Sequence, residues 1–376
     1  MSFTVIGYPG DRRVTMFADA CRAAGLAAPH VVGWPDVLRG AFSLPAGVPV
    51  RIDSPGEDPE ADALLRGGAA PTLTGGGARW YAGFVAGLDR IADAARAARA
   101  PLLNDPDEVA VMFDKRLCHA RLAAAGVPVP PALTGIDGYA TLRARMAEAK
   151  ERRVFVKPAH GSSASGVIAL ETAPALSSPT GPTGATGRAG TRIKAVTSAV
   201  RRPDGFHNSL NVRTYRTEEE VAALVDALAP DGLHVERWMP KAGLDGRVLD
   251  LRVVVVGGVP THAVVRTSTV PMTNLHLGGR RGDLGTVRAA LGADGWREAM
   301  DVCARAAACF PRSLMVGVDL LVGVGWRRFA VGEVNAFGDL LPGLPGLPDG
   351  PATGVDTYTA QVRAAMSALP GYECAT

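Results

Sequence analysis

The first hundred residues alternate between short apolar runs and segments with helical periodicity. The runs "FTVIGY" and "HVVGW" are typical of short buried strands, whereas "RVTMFADACRAAG" and "RWYAGFVAGLDRIADAARAA" space their apolar residues as amphipathic helices do. Strands that alternate with helices in this way predict a small parallel α/β domain. We predict that this domain covers residues 1–103.

A second α/β unit is predicted to cover residues 104–236. Asn104 or Asp105 can cap its first helix, because Pro106 follows in a position that suits the first turn. Gly126 is expected to end this helix. The run "LHVERWM" is predicted to be a strand near the end of the unit.

Two more features of this unit can be predicted from composition. The run "TEEEVAALVDALA" is typical of a helix, since Thr217 and Glu220 form a capping-box pattern at its start. The segment from Ser177 to Gly190 has no apolar residue that could anchor it, so a mobile surface loop is expected there. Both an inert insertion and a functional lid fit this segment.

Apolar strands dominate the remaining residues, 237–376. Four runs are typical of strands: "LDLRVVVVGG", "PTHAVVRTS", "MVGVDLLVG" and "RFAVGEVNA". The last two are predicted to form a hairpin. Helices are expected near Gly295 to Cys309 and near Thr357 to Ala368.

Composition excludes several classes of function. The net charge of +3 is small and the basic residues are dispersed without interleaved aromatics, so no nucleic-acid partner is expected. No apolar run approaches the roughly 20 residues that a membrane helix needs. The five cysteines are scattered and the N-terminus lacks a signal-peptide pattern, so reduced thiols in the cytoplasm are expected.

The stretch "VFVKPAHGSSASGVIAL", Val154 to Leu170, places a lysine before a loop of small residues. One interpretation is a hairpin whose Gly and Ser residues only permit a tight turn. The other is a phosphate site, in which Gly161 and Gly166 let backbone N–H groups approach phosphate oxygens and Lys157 supplies the charge. It is not a Walker A loop, because there the lysine follows the glycines.

Acidic residues interrupt the predicted apolar hairpin. Glu333 and Asn335 lie two residues apart, hence on one face of their strand, and Asp319 lies on the preceding strand. Two carboxylates and an amide oxygen suit a hard cation such as Mg²⁺. The alternative is that arginines neutralise both acids. A metal site on one domain and the lysine loop on another together indicate a nucleotide triphosphate held between two domains.

Eight segments carry a resemblance to a known family. They are "MFDKRLCHARLAAAGVPVP", "VFVKPAHGSSASGV", "VERWMP", "LDLRVVVVGGVPTHAVVR", "TNLHLGG", "GVDLLV", "GEVNA" and "ATGVDTY", which cover about residues 104–360. Their order resembles the ATP-grasp superfamily, and most closely the branch of ribosomal-protein glutamate ligases and prokaryotic glutathione synthetases. The resemblance implies an α/β ATP-grasp fold, with an N-terminal Rossmann-like pre-ATP-grasp domain and two α+β subdomains that clasp ATP.

The resemblance also implies roles for individual residues. Residues implied to bind the nucleotide are Lys115, Lys157, Gly161, Ser162, Ser163, Gly166, Glu236, Trp238, Met239 and Asp250. Residues implied to act on the reacting groups are Lys157, Arg266 and Asn274, with backbone N–H groups near Gly278 and Gly279 as oxyanion donors. The implied ligands of Mg²⁺, with Mn²⁺ as an alternative, are Asp319, Glu333 and Asn335.

Simpler interpretations remain open for two of these residues. Asp250 and Arg252 share a strand face and could form a simple ion pair, and Arg266 could be an ordinary surface arginine. Two departures from the family pattern leave the acceptor substrate open: Arg237 stands where relatives carry an acid, and "FGDLLPG" follows "EVNA".

The activity that the resemblance implies is ADP-forming ligation. ATP would phosphorylate a small-molecule or peptide carboxylate, and an amine would attack the acyl phosphate to form an amide. The alternatives are an ATP-grasp small-molecule kinase and a catalytically silent ATP-binding protein. A homo-oligomer remains open.

Overall fold

The computed structural model describes residues 2–56, 58–161, 164–174, 191–337, 341–348 and 350–368. The predicted loop from Ser177 to Gly190 lies outside the described residues, as do Ser162 and Ser163. The same is true of residues 338–340 in the "FGDLLPG" segment.

The N-terminal elements form a small parallel sheet with helices, as predicted. In chain order they are β1 (Thr4–Ile6), α1 (Arg12–Ala23), β2 (His30–Val32), α2 (Trp34–Arg39), β3 (Val50–Ile52), α3 (Pro59–Arg66) and α4 (Gly77–Ala98). Strand β1 lies between β2 and β3 and runs parallel to both. The predicted strand "HVVGW" is shorter than expected, because Gly33 caps α2 and Pro35 fits its first turn.

The central elements form an antiparallel sheet. They are α5 (Pro106–Phe113), α6 (Lys115–Ala124), β4 (Ala132–Leu133), α7 (Tyr139–Glu148), β5 (Arg153–Pro158), β6 (Ile168–Pro174), β7 (Thr191–Arg202), β8 (Gly205–Tyr215), α8 (Glu218–Leu228) and β9 (Leu233–Arg237). The strand order of this central sheet is β4-β9-β5-β6-β7-β8. The capping box of Thr217 and Glu220 starts α8 as predicted.

The single helix predicted after residue 104 is wrong. It is interrupted at Asp114, whose extended backbone ends α5 and whose side chain caps α6. Asp105 is the cap of α5, because its carboxylate accepts the N–H of Glu108 at 3.1 Å. Asn104 instead bonds both backbone groups of Ile52, at 2.8 and 2.7 Å, and so joins the helix to the N-terminal sheet.

The C-terminal elements form a third sheet. They are β10 (Gly243–Leu244), β11 (Arg247–Val256), β12 (Val259–Ser268), β13 (Arg280–Gly282), α9 (Leu284–Ala308), β14 (Met315–Val322), β15 (Phe329–Asn335) and α10 (Thr357–Ala368). The order of this C-terminal sheet is β13-β12-β11-β14-β15, with β10 beside β11. The hairpin β14–β15 is confirmed, and α9 starts earlier than predicted, with a break in helical geometry at Gly292.

Apolar packing sets how the three sheets are joined. One core cluster contains residues of both the N-terminal and the C-terminal sheet, such as Ile6 and Val318. The last helix belongs to another cluster, in which Tyr358 packs with Phe3 and Phe17. The central sheet has a core of its own, with Val154 among its members. The domain boundaries at residues 103 and 236 remain predictions.

Two expectations from composition can be compared with the structure. None of the described helices is long and apolar enough to cross a membrane. The four cysteines in the described part of the chain, Cys21, Cys118, Cys303 and Cys309, are all free thiols.

Candidate active site

A cavity of about 440 Å³ lies where the central sheet faces the C-terminal sheet. This volume is in the range of small-molecule and cofactor pockets. The charged and amide side chains in its lining are Arg13, Lys115, Lys157, Glu236, Lys241, Asp250, Arg252, Arg266, Asn274, Asp319, Glu333 and Asn335. Most of the side chains predicted to bind nucleotide, metal and reacting groups are therefore brought together in one cavity.

Lys157 lies on β5 and is paired with an acid of the neighbouring strand. Its Nζ lies 2.6 Å from Oε1 of Glu236 on β9, and the other oxygen of Glu236 lies 3.1 Å from Nε2 of His234. Burial alone would lower the pKa of Lys157, but the carboxylate of Glu236 outweighs burial and raises it. Burial likewise favours a neutral Glu236, yet Lys157 and His234 lower its pKa to about 2. The lysine thus remains charged at neutral pH.

Lys115 lies in the first turn of α6, where the cap residue Asp114 fixes the direction of the helix. Its Nζ donates to the carbonyl of Gly161 at 2.6 Å and lies 3.0 Å from Oε1 of Glu333. One cation therefore contacts both the small-residue loop and the acidic hairpin.

The small-residue loop forms part of the cavity wall through Gly161, Ala164, Ser165 and Val167. Gly166 ends the turn at a φ of 67°, and a Cβ on it would lie 3.1 Å from Cγ of Pro158. Both the left-handed backbone and the close packing favour glycine there. Little side-chain bulk separates the described part of this loop from the cavity.

The acidic hairpin brings its oxygen donors together. Asp319 is directly opposite Glu333 in the antiparallel register, and Asn335 shares the face of Glu333. The Nδ2 of Asn335 donates to the carbonyl of Gly317 at 3.2 Å, which leaves the amide oxygen available to another group. Burial raises the pKa of Glu333, but Lys115 and Lys157 more than offset this and lower it. Ionised carboxylates beside an amide oxygen fit a hard divalent cation.

The two acids have different partners within the protein. Asp319 forms ion pairs with Arg252 and, at 3.1 Å, with Nη2 of Arg266, so the arginine alternative holds for this acid. Glu333 pairs with Lys115 instead. In the described part of the chain, no group of three or more His, Cys, Asp and Glu side chains forms a metal cluster. A cation here would therefore draw two carboxylates and an amide from the protein.

Asp250 is buried in a network that differs from the expected pair with Arg252. Its Oδ1 accepts from Nε of Arg266 at 2.8 Å, and its Oδ2 accepts from Thr273. Asp250 is directly opposite Arg266 on β12, and Arg252 is opposite Asp319 on β14. Cross-strand neighbours are closer than alternate residues of one strand, which explains these partners. Arg266 is 6% exposed, so the surface-arginine interpretation is wrong.

Lys241 is a cavity residue that the sequence did not single out. Its Nζ donates to Oγ1 of Thr273 at 3.0 Å and lies 3.4 Å from Oδ2 of Asp250. Burial lowers its pKa, and the nearby Asp250 only partly offsets this. The rarity of lysine in this arginine-rich chain was its only sequence signal, and the chain's other lysines share that signal.

The loop after β12 forms the cavity wall through Asn274, Leu275 and His276. The carbonyl of Asn274 accepts the N–H groups of Leu277 and Gly279, at 3.1 and 3.3 Å. The amide of Gly279 is therefore used inside the turn. A Cβ on Gly279 would lie 2.6 Å from the carbonyl oxygen of Asn274, so the turn needs glycine at this position.

The apolar end of the cavity includes Phe155, Val167, Met239 and Leu321. Trp238 packs against Phe155, with 5.1 Å between the ring centroids. Its indole therefore supports a cavity-lining ring. The half-exposed Arg237 forms an ion pair with Glu151, which shows what replaces the acid expected at this position.

No protein-family model matches the chain, and no curated protein matches its sequence. Solved structures do match it over nearly the whole length. The D-cycloserine synthetase DcsG is 19% identical with a TM-score of 0.56, over 97% of this chain and 98% of that one. The ATP-grasp ligase PsnB, complexed with minimal precursor, Mg and ADP, is 18% identical with a TM-score of 0.52, over 97% and 96%.

The macrocyclase MdnC from Microcystis aeruginosa MRC, bound with precursor peptide MdnA, is 14% identical with a TM-score of 0.51. The match covers 97% of this chain and 99% of that one. Likeness at this level of identity concerns the backbone fold. The narrower resemblance to glutamate ligases and glutathione synthetases stays a prediction. The chain has the ATP-grasp fold, as its ordered motifs predict.

Proposed function

We propose that the protein is an ATP-dependent, ADP-forming ligase that joins a carboxylate to an amine through an acyl phosphate. The observation that carries this proposal is the meeting of two lysines and an acidic hairpin in one cavity. Lys115 and Lys157 come from the central elements, whereas Asp319 and Glu333 come from the C-terminal sheet.

In this proposal the two lysines hold the phosphates of ATP. Lys157 has the raised pKa of a permanent cation, and Lys115 lies against Gly161 of the small-residue loop. Asp319, Glu333 and Asn335 would hold Mg²⁺, which supplies charge neutralisation for phosphoryl transfer when bound. The protein's own part is to hold these groups in fixed positions before the substrates arrive.

Arg266 is the proposed partner of the transferred phosphoryl group. Its guanidinium is held by Asp250 through Nε and by Asp319 through Nη2, so its orientation is fixed from two sides. Asn274 lies on the same cavity wall and is proposed to orient the acyl group. The buried setting would limit attack of water on the acyl phosphate.

The substrate class is proposed from the structural neighbours. PsnB and MdnC were solved with precursor peptides, and DcsG is described as the synthetase of a small molecule. A peptide or small-molecule carboxylate and an amine are therefore the proposed substrates. A cytoplasmic location and a homo-oligomer remain predictions.

The product of ATP cleavage tests this proposal. We would incubate the protein with ATP, Mg²⁺ and candidate carboxylates, with and without an amine, and identify the spent nucleotide by chromatography. ADP and phosphate are expected, with the acyl phosphate trapped as a hydroxamate when hydroxylamine replaces the amine. AMP and pyrophosphate would indicate an adenylating enzyme and overturn the mechanism. A stable phosphorylated product that no amine consumes would indicate a kinase.

A further inference from the structure

The first turn of α6 and the start of the small-residue loop are joined by three contacts. Nε2 of His160 lies 3.0 Å from Oδ2 of Asp114. The N–H of Lys115 donates to the carbonyl of Ala159 at 3.0 Å, and Nζ of Lys115 donates to the carbonyl of Gly161 at 2.6 Å. Residues 114–115 and 159–161 therefore act as one unit.

His160 is also held from the N-terminal side. The ring of Tyr81 on α4 stacks on the imidazole, with centroids 4.1 Å apart and planes 13° from parallel. A Cβ on Gly77, in the first turn of the same helix, would lie 2.9 Å from the carbonyl oxygen of His160. The imidazole therefore lies in a close-fitting gap between α4 and the cap of α6.

Asp114 connects this contact to the helix. Its Oδ1 accepts the N–H of Arg116 at 2.9 Å, and its Oδ2 accepts Nη2 of Arg116 at 2.6 Å as well as contacting His160. The carboxylate is buried and shares its charge between a helix cap, an arginine and an imidazole. Loss of the imidazole would remove the link to the loop while leaving the cap and the arginine.

We infer that His160 is a positioning residue, which fixes Gly161 and Lys115 relative to each other and so prepares the phosphate end of the cavity. This inference rests on the proposed function, because it requires that the cavity bind a nucleotide triphosphate. His160 acts through its neighbours: the residue after it supplies the carbonyl that Nζ of Lys115 contacts, and its partner Asp114 directly precedes Lys115. The effect is therefore specific to the phosphates.

The test compares two ligands by calorimetry, a non-hydrolysable ATP analogue with Mg²⁺ and adenosine. His160→Phe keeps a ring to stack on Tyr81 but cannot bond Asp114, whereas His160→Gln retains an amide donor. For His160→Phe we expect analogue affinity to fall about tenfold and adenosine affinity to change less than about twofold. His160→Gln should recover part of the analogue affinity. His30→Gln, at an exposed histidine, should leave both unchanged.

Each outcome decides the inference. Unchanged analogue affinity in a folded His160→Phe variant, when the wild type binds the analogue, overturns the role of His160 alone. An equal loss for analogue and adenosine indicates a general structural role and also overturns it. If His160→Phe does not fold, the same comparison is made with His160→Gln, which should still weaken the analogue selectively. Failure of the wild type to bind the analogue overturns the proposed function, and the inference with it.

Discussion

The Nζ of Lys115 lies 3.0 Å from Oε1 of Glu333, so a cation from the start of α6 neutralises an acid of the β14–β15 hairpin. The two residues are far apart in the chain and belong to different sheet layers. Their contact shows that the proposed phosphate site and the proposed metal site share a boundary. Changes on one side of this boundary should therefore affect binding on the other.

Removal of either lysine charge should weaken nucleotide binding. Lys115→Met and Lys157→Met retain the apolar stem but lose the cation, and each should lower the affinity for a non-hydrolysable ATP analogue by roughly tenfold or more, because charge-assisted hydrogen bonds to phosphate are lost. Calorimetry measures this. Lys194→Met, at an exposed position of β7, is the matched control. Wild-type affinity in both variants would refute the phosphate assignment.

The acidic hairpin should make nucleotide binding depend on Mg²⁺. Glu333→Gln retains the volume but loses a carboxylate, so the gain in analogue affinity on adding Mg²⁺ should largely disappear. Calorimetry with and without chelator shows the difference, and Glu298→Gln at an exposed site of α9 is the control. An undiminished Mg²⁺ effect in the Glu333 variant would show that the cation binds elsewhere.

Glu236 should contribute to stability in a defined pH window. Its pKa falls from 4.5 to about 2 on folding, so its contribution is complete above pH 4.5 and is lost as the pH falls toward 2. A shift of this size corresponds to about 3 kcal/mol. Glu236→Gln should therefore be less stable than the wild type at pH 7, and the difference should shrink between pH 4.5 and 2.

Urea unfolding at a series of pH values measures this difference. Glu171→Gln changes an acid whose side chain is 31% exposed, and it serves as the comparison. A difference between wild type and Glu236→Gln that stays constant across the acidic range would contradict the role of Lys157 as partner of Glu236.

Arg266 should not tolerate replacement by lysine. Its Nε and Nη2 reach two different carboxylates, those of Asp250 and Asp319, and a single ammonium cannot match that geometry. Arg266→Lys should lower the free energy of unfolding by about 1–3 kcal/mol and reduce ADP release more than it weakens analogue binding. Arg297→Lys, in an exposed pair with Asp294, should change neither. Equal turnover in the Arg266 variant would exclude a role near the phosphoryl group.

Gly279→Ala should disturb the loop that carries Asn274. The new Cβ would lie 2.6 Å from the carbonyl oxygen of Asn274 and 2.8 Å from that of Thr273, so the turn must move. We expect slower ADP release with little change in the unfolding midpoint. Gly295→Ala, whose Cβ would lie at an ordinary 3.5 Å from Leu291, is the control. Normal turnover in Gly279→Ala would show that this loop does not position the reacting groups.

Local pattern was enough to predict the elements that depend on nearby residues. The capping box at Thr217 started a helix, and the alternating acids of "GEVNA" lay on one strand face, because capping and strand alternation are set within a few residues. The helix across Asp114 was predicted wrongly for a related reason. An aspartate cap can also stand inside a helical pattern, and only the contact with His160 shows that the chain turns there.

The order of motifs along the chain determined the fold, the hairpin with its acids and most residues of the candidate site. Only the tertiary structure decided which charges meet: Lys157 with Glu236, Lys115 with Glu333, and Arg266 between Asp250 and Asp319. It also placed Lys241 in the cavity and Tyr81 on His160. The physical reason is that periodicity reports which face of an element is buried. The partner of a buried charge depends instead on strand register and on the packing of distant segments, which leave no periodic signal in the sequence.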